Sequence, residues 1–176
     1  GTVLHVHERY VCNRCIVSLP RSNFHENEES EMSKLLKGRV PTVLAASYFI
    51  YEKRGRVQSL LHALKYQDQK ELGEFLGEQY GTELIETVGG RSVDVLVPVP
   101  LHKKKLKQRG YNQSEWFARG LGTGMGKRVN VLALEREIAT STQTKRKKYE
   151  RWENVQGIFN VTEPLSLANK HVALVD

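Results

Sequence analysis

The spacing of apolar residues predicts a chain that alternates between strands and helices from about residue 42 onward. The segment VLAASYFIYEK (43–53) is rich in Val, Tyr, Phe and Ile, which is typical of a strand. Apolar residues then recur at helical intervals across 54–88. The polar residues Gln67 and Asp68 interrupt this pattern, so it predicts two helices with a break at these positions.

The second half of the chain continues the alternation. SVDVLVPVPLH (92–102) and HVALVD (171–176) are short apolar runs that predict strands buried on both faces, and VNVLALERE (129–137) alternates like a further strand. Between the strands predicted at 92–102 and 129–137 lies GYNQSEWFARGLGTGMG (110–126), a helical pattern that Asn112, Gln113 or Ser114 can cap. We therefore expect an open, mainly parallel α/β sheet with flanking helices.

The first 40 residues predict a small module and tether that precede this domain. They contain Cys12 and Cys15, then Pro20, then a polar and acidic stretch that ends near Pro41. A chain of 176 residues suits one domain with a small appendage. The predicted division is thus 1–40 for the module and 41–176 for the α/β domain.

The composition is that of a globular protein, with 39% apolar and 27% charged residues. No apolar run reaches the length of a membrane span, and the N-terminus lacks a positively charged start followed by an apolar run. We therefore expect no membrane span and a cytoplasmic protein. In such a reducing compartment, the C-x-x-C pair Cys12 and Cys15 favours a metal over a disulfide, with His5 and His7 close by.

The net charge of +7 comes from two short stretches, LHKKKLKQRGY (101–111) and TKRKKYER (144–151). Together they hold ten of the 27 basic residues, and the other 17 face 20 acidic ones. This local basicity indicates a bound anion or polyanion.

Two strand ends carry the candidate chemistry, because ligands of open α/β sheets bind beyond the carboxyl ends of strands. The 92–102 strand ends in a proline-stiffened turn that leads into clustered bases and then a helix start at Tyr111 to Ser114, which suits a phosphate or pyrophosphate. The last strand ends in Asp176. The alternatives are a solvated basic loop in the first case and an acidic helix cap in the second.

Several motifs resemble the ComF/GntX family of competence-associated, phosphoribosyltransferase-like proteins, in a Bacteroidetes-like variant. The resemblance extends over nearly the whole chain from the cysteine pair to VALVD, and its central segment is specific. It rests on LLHALKYQDQKELG (60–73), VPVP (97–100), RGYNQ (109–113), TQT (142–144), Arg151, Asn154, Val155 and Phe159.

The resemblance implies a type I phosphoribosyltransferase-like fold. The strand that ends at Asp176 would lead into the loop that binds 5-phosphoribosyl 1-pyrophosphate. In the family the sequence of this loop is two acidic residues, an apolar residue and then T-T-G. We therefore expect the chain to continue past Asp176. Asp176 would be a catalytic residue that holds the ribose hydroxyls, and Mg²⁺ would bridge pyrophosphate and ribose oxygens.

The resemblance also assigns ligand-binding roles to two further segments. One is a pyrophosphate loop with a basic residue beyond it, and the other is a mobile flap that excludes water. The first comprises Pro98, Val99, Pro100, Leu101, His102 and Lys103, with Arg109 beyond it, and the flap, 143–154, includes Gln143, Lys145, Arg146, Arg151 and Asn154.

For the cysteines, the resemblance implies a small zinc ribbon. Members of the family usually carry two C-x-x-C pairs, and the spacing here suggests that Gly1 directly follows the first pair. Cys12 and Cys15 would then be a partial Zn²⁺ site, which His5 or His7 could complete only in principle.

The leading hypothesis is a protein of DNA uptake that binds phosphoribosyl pyrophosphate or a nucleotide-like ligand, with phosphoribosyl transfer as its potential reaction and no acceptor indicated. The alternative is a non-catalytic competence factor that binds single-stranded DNA and partner proteins. In that case the two basic runs would act with neighbouring aromatic rings. A third hypothesis is a scaffold that has lost both ligands. The rings in question are Tyr111, Trp116, Tyr149 and Trp152, although the helical spacing of Trp116 equally favours the core.

Overall fold

The computed structural model describes residues 4–6, 8–27, 29–36, 38, 40–138 and 157–176. In these ranges the chain is a mixed α/β structure, as the sequence predicts. The helices are α1 (Asn13–Val17), α2 (Glu31–Leu36), α3 (Arg56–Tyr66), α4 (Lys70–Leu84), α5 (Val88–Ser92), α6 (Lys103–Arg109), α7 (Gln113–Met125) and α8 (Pro164–Leu167), with a short 3-10 turn at Phe24–Glu26. The strands are β1 (Val95–Pro98), β2 (Arg128–Val129), β3 (Leu134–Arg136), β4 (Phe159–Val161) and β5 (Val172–Val175).

A three-stranded parallel sheet, with the order β2-β1-β5, forms the centre of the fold. All four residues of β1 are buried, so the prediction of a strand covered on both faces is confirmed there. The same prediction is wrong for β5, because Leu174 is 67% exposed and only Val175 is buried. The reason is that β5 lies at the edge of the described sheet, where its side chains meet fewer neighbours.

The predicted strand at 129–137 is instead two short strands, β2 and β3, in different sheets. Asn130 causes the change of direction, because its side-chain oxygen accepts hydrogen bonds from the amides of Leu132 and Ala133, at 3.0 and 3.1 Å. Such local bonds compete with strand pairing. β3 then pairs antiparallel with β4 in a separate two-stranded sheet.

The strand predicted at 43–53 is wrong. Its only ladder contact among the described residues is an isolated antiparallel bridge between Phe49 and Arg21. β-Propensity expresses how well a side chain packs on neighbouring strands, and Val43, Ile50 and Tyr51 are exposed here. The segment runs alongside the N-terminal part of the chain without joining a sheet.

Arg21 connects the N-terminal part of the chain to α4. Its guanidinium makes two hydrogen bonds to the Glu83 carboxylate, at 2.9 and 3.1 Å, and lies 4.1 Å from the centre of the Tyr48 ring. Tyr48 in turn stacks on Tyr80 of α4, with 4.5 Å between the ring centres. Residues on both sides of the predicted boundary near 40 therefore share these contacts.

The two helices predicted on either side of Gln67 and Asp68 are confirmed as α3 and α4. Asp68 adopts a left-handed backbone, with φ of 52°, which ends the first helix before the second begins. Among the helices that the structure describes, none is long and apolar enough to cross a membrane.

Glycines allow α4 and α7 to pack with their backbones in contact. A Cβ atom on Gly77 of α4 would overlap the Phe117 carbonyl, and one on Gly120 of α7 would overlap the Glu74 carbonyl. Small residues at these crossing points bring the helices close enough for Leu76 and Leu121 to share one core. This contact holds α7 against α4.

We expect Gly120→Ala to lower the free energy of unfolding by about 2 kcal/mol, because a backbone carbonyl cannot move aside as a side chain can. The substitution adds about 1 kcal/mol of helix propensity, which the overlap outweighs. Urea denaturation measures the change. Thr123→Ala, on the exposed side of α7, is the matched control and should change stability by less than about 0.5 kcal/mol. Equal stability of the Gly120→Ala protein and the unaltered protein would contradict the described packing.

Candidate functional site

The carboxyl ends of β1 and β5 lie side by side at one edge of the sheet. The two strands are parallel, with Val97 opposite Leu174 and Pro98 opposite Val175. One residue further on, the Val99 amide donates a hydrogen bond of 2.8 Å to the Val175 carbonyl. The turn after Pro98 and the residue Asp176 therefore meet at the same edge, where the sequence predicts them.

Asn112 fixes the turn to the start of α7. Its side-chain oxygen accepts a hydrogen bond from the Ser114 amide, at 3.2 Å, and so caps the helix. Its side-chain nitrogen donates to the Val99 carbonyl, at 3.0 Å. One buried amide thus holds both the first residue of the turn and the N-terminus of the helix.

Ser114 holds the Asp176 carboxylate. The serine is 1% exposed, and its hydroxyl donates a hydrogen bond of 3.2 Å to Oδ1 of Asp176. The first turn of a helix also favours a negative charge, because its amides point outward along the helix axis. The carboxylate is therefore held in place by α7 before any ligand binds.

A chain of polar contacts extends from Ser114 to the basic helix α6. The Gln113 amide nitrogen lies 3.4 Å from the Ser114 hydroxyl, and its oxygen accepts a hydrogen bond from the Arg109 guanidinium. Arg109 is thereby connected to Asp176 through two intermediate side chains. A positive group that is coupled in this way to a carboxylate suits a ligand that carries both phosphate and hydroxyl groups.

The sequence RGYNQ folds as a joint between α6 and α7. Gly110 ends α6 in a left-handed conformation, with φ of 88°, which a glycine adopts without strain. Tyr111 is buried, its hydroxyl donates to the Leu64 carbonyl of α3, and burial raises the pKa of this hydroxyl. Asn112 then begins α7. The joint fixes the angle at which α6 leaves the site.

The predicted pyrophosphate loop lies between β1 and α6. Pro98 ends the strand, and His102 caps α6 by accepting a hydrogen bond of 3.2 Å from the Lys104 amide on its Nδ1 atom. Lys103 pairs with Glu135 of β3, with 2.7 Å between Nζ and Oε1, and this hydrogen bond raises the pKa of the lysine. A phosphate would compete with Glu135 for this amine. The sequence analysis gave a solvated loop as the alternative for the basic stretch 103–109. In the structure this stretch is a helix.

The predicted flap lies outside the described residues. This applies to Gln143, Lys145, Arg146, Arg151 and Asn154, and to the aromatic residues Tyr149 and Trp152.

Cys12 and Cys15 lie at the start of α1, and neither is in a disulfide. The Cys15 amide donates a hydrogen bond of 3.3 Å to the Cys12 sulfur. A contact between the two cysteine side chains raises the pKa of the Cys15 thiol. Two thiolates supply half of a tetrahedral zinc site. Within the described part of the chain, no three His, Cys, Asp or Glu side chains are grouped so as to hold a metal ion, so these residues alone do not fit a complete zinc site.

The sequence placed the helix start at Tyr111 to Ser114 in the predicted phosphate cradle and indicated Asn112, Gln113 and Ser114 as candidate helix caps. It missed the side-chain contacts of Asn112 with Val99 and of Ser114 with Asp176. The signal that could have identified these contacts is the position of the caps directly after the basic stretch, since a helix that begins at the carboxyl edge of a sheet directs its first side chains toward the ends of the strands.

Comparison with known proteins shows similarity to DNA utilization proteins. Over 120 residues the chain is 28% identical to DNA utilization protein YhgH of Escherichia coli O6:H1 and of Escherichia coli K12, and 27% identical to that of Shigella flexneri. The matched region is 66% of this chain and 52% of each relative, so the chain spans about half the length of the curated relatives it matches. Neither a protein-family model nor a solved structure gives a significant match. The Bacteroidetes-like variant stays a prediction.

Replacement of Asn112 should separate its two roles. Asn112→Ala removes the helix cap and the bond to the Val99 carbonyl, and we expect a loss of about 2 kcal/mol of unfolding free energy. Asn112→Ser retains a capping oxygen and loses only the second bond, so its loss should be about 1 kcal/mol. Urea denaturation of both proteins tests this order. Equal losses for the two variants would show that the helix cap contributes nothing, and unchanged stability of Asn112→Ser would show the same of the bond to Val99.

Proposed function

We propose that the carboxyl edge of β1 and β5 binds phosphoribosyl pyrophosphate, or a related nucleotide-like ligand, together with Mg²⁺. The observation that carries this proposal is the position of the Asp176 carboxylate, which Ser114 holds beside the turn that follows Pro98. A carboxylate acceptor and a turn flanked by bases are the two features that a sugar linked to a pyrophosphate requires. The type I phosphoribosyltransferase fold and the ComF/GntX family are part of the same proposal.

Each part of the ligand would meet a different part of the edge. The carboxylate of Asp176 would accept hydrogen bonds from the ribose hydroxyls. The backbone and side chains of 98–103 would contact the pyrophosphate, and Arg109 would add positive charge through its connection with Gln113. The flap at 143–154 would cover the ligand and exclude water.

Mg²⁺ would be held mainly by the ligand. This ion prefers oxygen atoms in an octahedral arrangement and is usually bound by one or two carboxylates together with substrate phosphates. Asp176 offers such a carboxylate, and no group of three potential ligands accompanies it among the described residues. When bound, the ion would neutralise the charge of the pyrophosphate as it leaves.

A role in DNA uptake or DNA use is the second part of the proposal. It is supported by the similarity to relatives that are named DNA utilization proteins and by the ComF/GntX motifs. Phosphoribosyl transfer would break the bond between C1 of the ribose and the pyrophosphate oxygen, and would form a bond from the same carbon to an acceptor. Binding without transfer would make the protein a sensor of the ligand.

Isothermal titration calorimetry of the intact protein with phosphoribosyl pyrophosphate tests the ligand. We expect one-to-one binding that depends on Mg²⁺. Ser114→Ala should weaken it roughly tenfold, because a hydrogen bond to a charged group is lost, and Asp176→Asn should weaken it at least as much.

Ser59→Ala is the control, because it removes a serine hydroxyl from an exposed position on α3. It should bind as the unaltered protein does, and circular dichroism should show that all variants are folded. The absence of any binding heat with Mg²⁺ present would contradict the proposed ligand, and the absence of heat with single-stranded DNA as well would favour the scaffold hypothesis. Unchanged affinity in both site variants would show that the ligand does not bind at this edge of the sheet.

A further inference from the structure

Glu135 lies on a strand that the core of the sheet holds in place. Directly before it, Ala133 is fully buried, and Leu134 packs with it against Val95 and Val97 of β1. The antiparallel pairing of β3 with β4 fixes the strand further. Because β1 leads into the predicted pyrophosphate loop, that loop and the strand that carries Glu135 rest on the same packed side chains.

The Glu135 side chain reaches the end of this loop. Successive side chains of a strand point to opposite faces, so Glu135 points away from the core that Leu134 enters. Its Oε1 atom lies 2.7 Å from Nζ of Lys103, which is the last residue of the predicted loop and the first of α6. Both side chains are accessible to a ligand, since that of Lys103 is 83% exposed and that of Glu135 is 41% exposed.

A second carboxylate acts on the same amine. Glu137 lies two residues beyond Glu135, and its amide donates a hydrogen bond of 2.9 Å to the Ile158 carbonyl, which continues the pairing of β3. The hydrogen bond with Glu135 and the charge of Glu137 together raise the pKa of Lys103. Carboxylates of the protein itself therefore engage the lysine of the loop.

A phosphate that binds Lys103 must either displace Glu135 or lie beside it. If one ammonium group held both anions, the carboxylate and the phosphate would be close enough to repel each other. If the ion pair breaks instead, its contribution is lost. An exposed ion pair changes an equilibrium constant by a factor of about 1.5 to 5. In both cases the cost falls only on ligands that contact Lys103.

We propose that Glu135 is a specificity-determining residue of the candidate site, which competes with pyrophosphate for Lys103. It lowers the affinity for ligands that carry a pyrophosphate group. It leaves the affinity for ribose 5-phosphate unchanged, because this sugar phosphate lacks the group that contacts the loop. Return of the lysine to Glu135 also favours the release of pyrophosphate. The inference rests on the proposed function, since it takes 98–103 as the pyrophosphate contact.

Isothermal titration calorimetry of the intact protein with three ligands, each with Mg²⁺, tests the competition. The ligands are inorganic pyrophosphate, phosphoribosyl pyrophosphate and ribose 5-phosphate. Glu135→Gln should tighten the binding of the first two about threefold and leave the third unchanged. Glu86→Gln is the matched control, because it removes the same charge from an exposed ion pair with Arg91, 3.7 Å apart, near α5. It should change none of the three affinities.

Lys103→Gln provides the second arm of the experiment. It should weaken pyrophosphate binding roughly fivefold, because a hydrogen bond to a charged phosphate is lost. Without the lysine, Glu135 has nothing to compete for. Addition of Glu135→Gln to Lys103→Gln should therefore change the pyrophosphate affinity by less than about 1.5-fold in this double-mutant cycle. Circular dichroism should show that all variants are folded.

Three results would overturn the inference while the proposed ligand still binds the unaltered protein. The first is unchanged pyrophosphate affinity in Glu135→Gln. The second is the same gain from this substitution with and without Lys103, and the third is an equal gain for ribose 5-phosphate. Absence of phosphoribosyl pyrophosphate binding to the unaltered protein contradicts the proposed function, and absence of pyrophosphate binding as well contradicts the inference.

Discussion

The hydrogen bond from the Val99 amide to the Val175 carbonyl, at 2.8 Å, is the last contact of the parallel ladder between β1 and β5. Because the strands are in register up to this point, both end at the same height. This ladder is what brings Asp176 beside the 99–102 turn, which the chain separates by more than 70 residues. Every ligand contact proposed above requires that placement.

The glycine-lined contact between α4 and α7 has a second consequence at the site. With its backbone pressed against α4, α7 cannot shift along the sheet without a clash at Gly77 or Gly120. Its first turn is therefore a fixed support, from which Asn112 reaches the Val99 carbonyl and Ser114 reaches Asp176. The contact between the two helices therefore both stabilises the helix pair and fixes the positions of the site residues on α7.

The elements that the sequence predicted correctly have strong local signals. The break at Gln67 and Asp68, the buried strand β1 and the cap at Asn112 follow from spacing and side-chain chemistry within a few residues. The elements that it predicted wrongly depend on partners that lie far away in the chain. Among the described residues, the 43–53 segment has strand composition but no strand beside it, and β5 has the pattern of a buried strand but lies at an edge of the sheet.

The candidate site shows the same division. The two strand ends could be placed from the sequence, since parallel strands bring their carboxyl ends to one edge. The contacts between Ser114 and Asp176, or between Lys103 and Glu135, could not be placed, because they depend on the exact height of α7 and β3 against the sheet.

The most direct test of the central claim is a nuclear magnetic resonance titration of the ¹⁵N-labelled protein with phosphoribosyl pyrophosphate and Mg²⁺. The account predicts that the largest shift changes occur at the amides of Val99, Leu101, His102, Ser114 and Asp176, at the shared edge of β1 and β5. Changes confined to other parts of the molecule, or no change at saturating ligand, would contradict it.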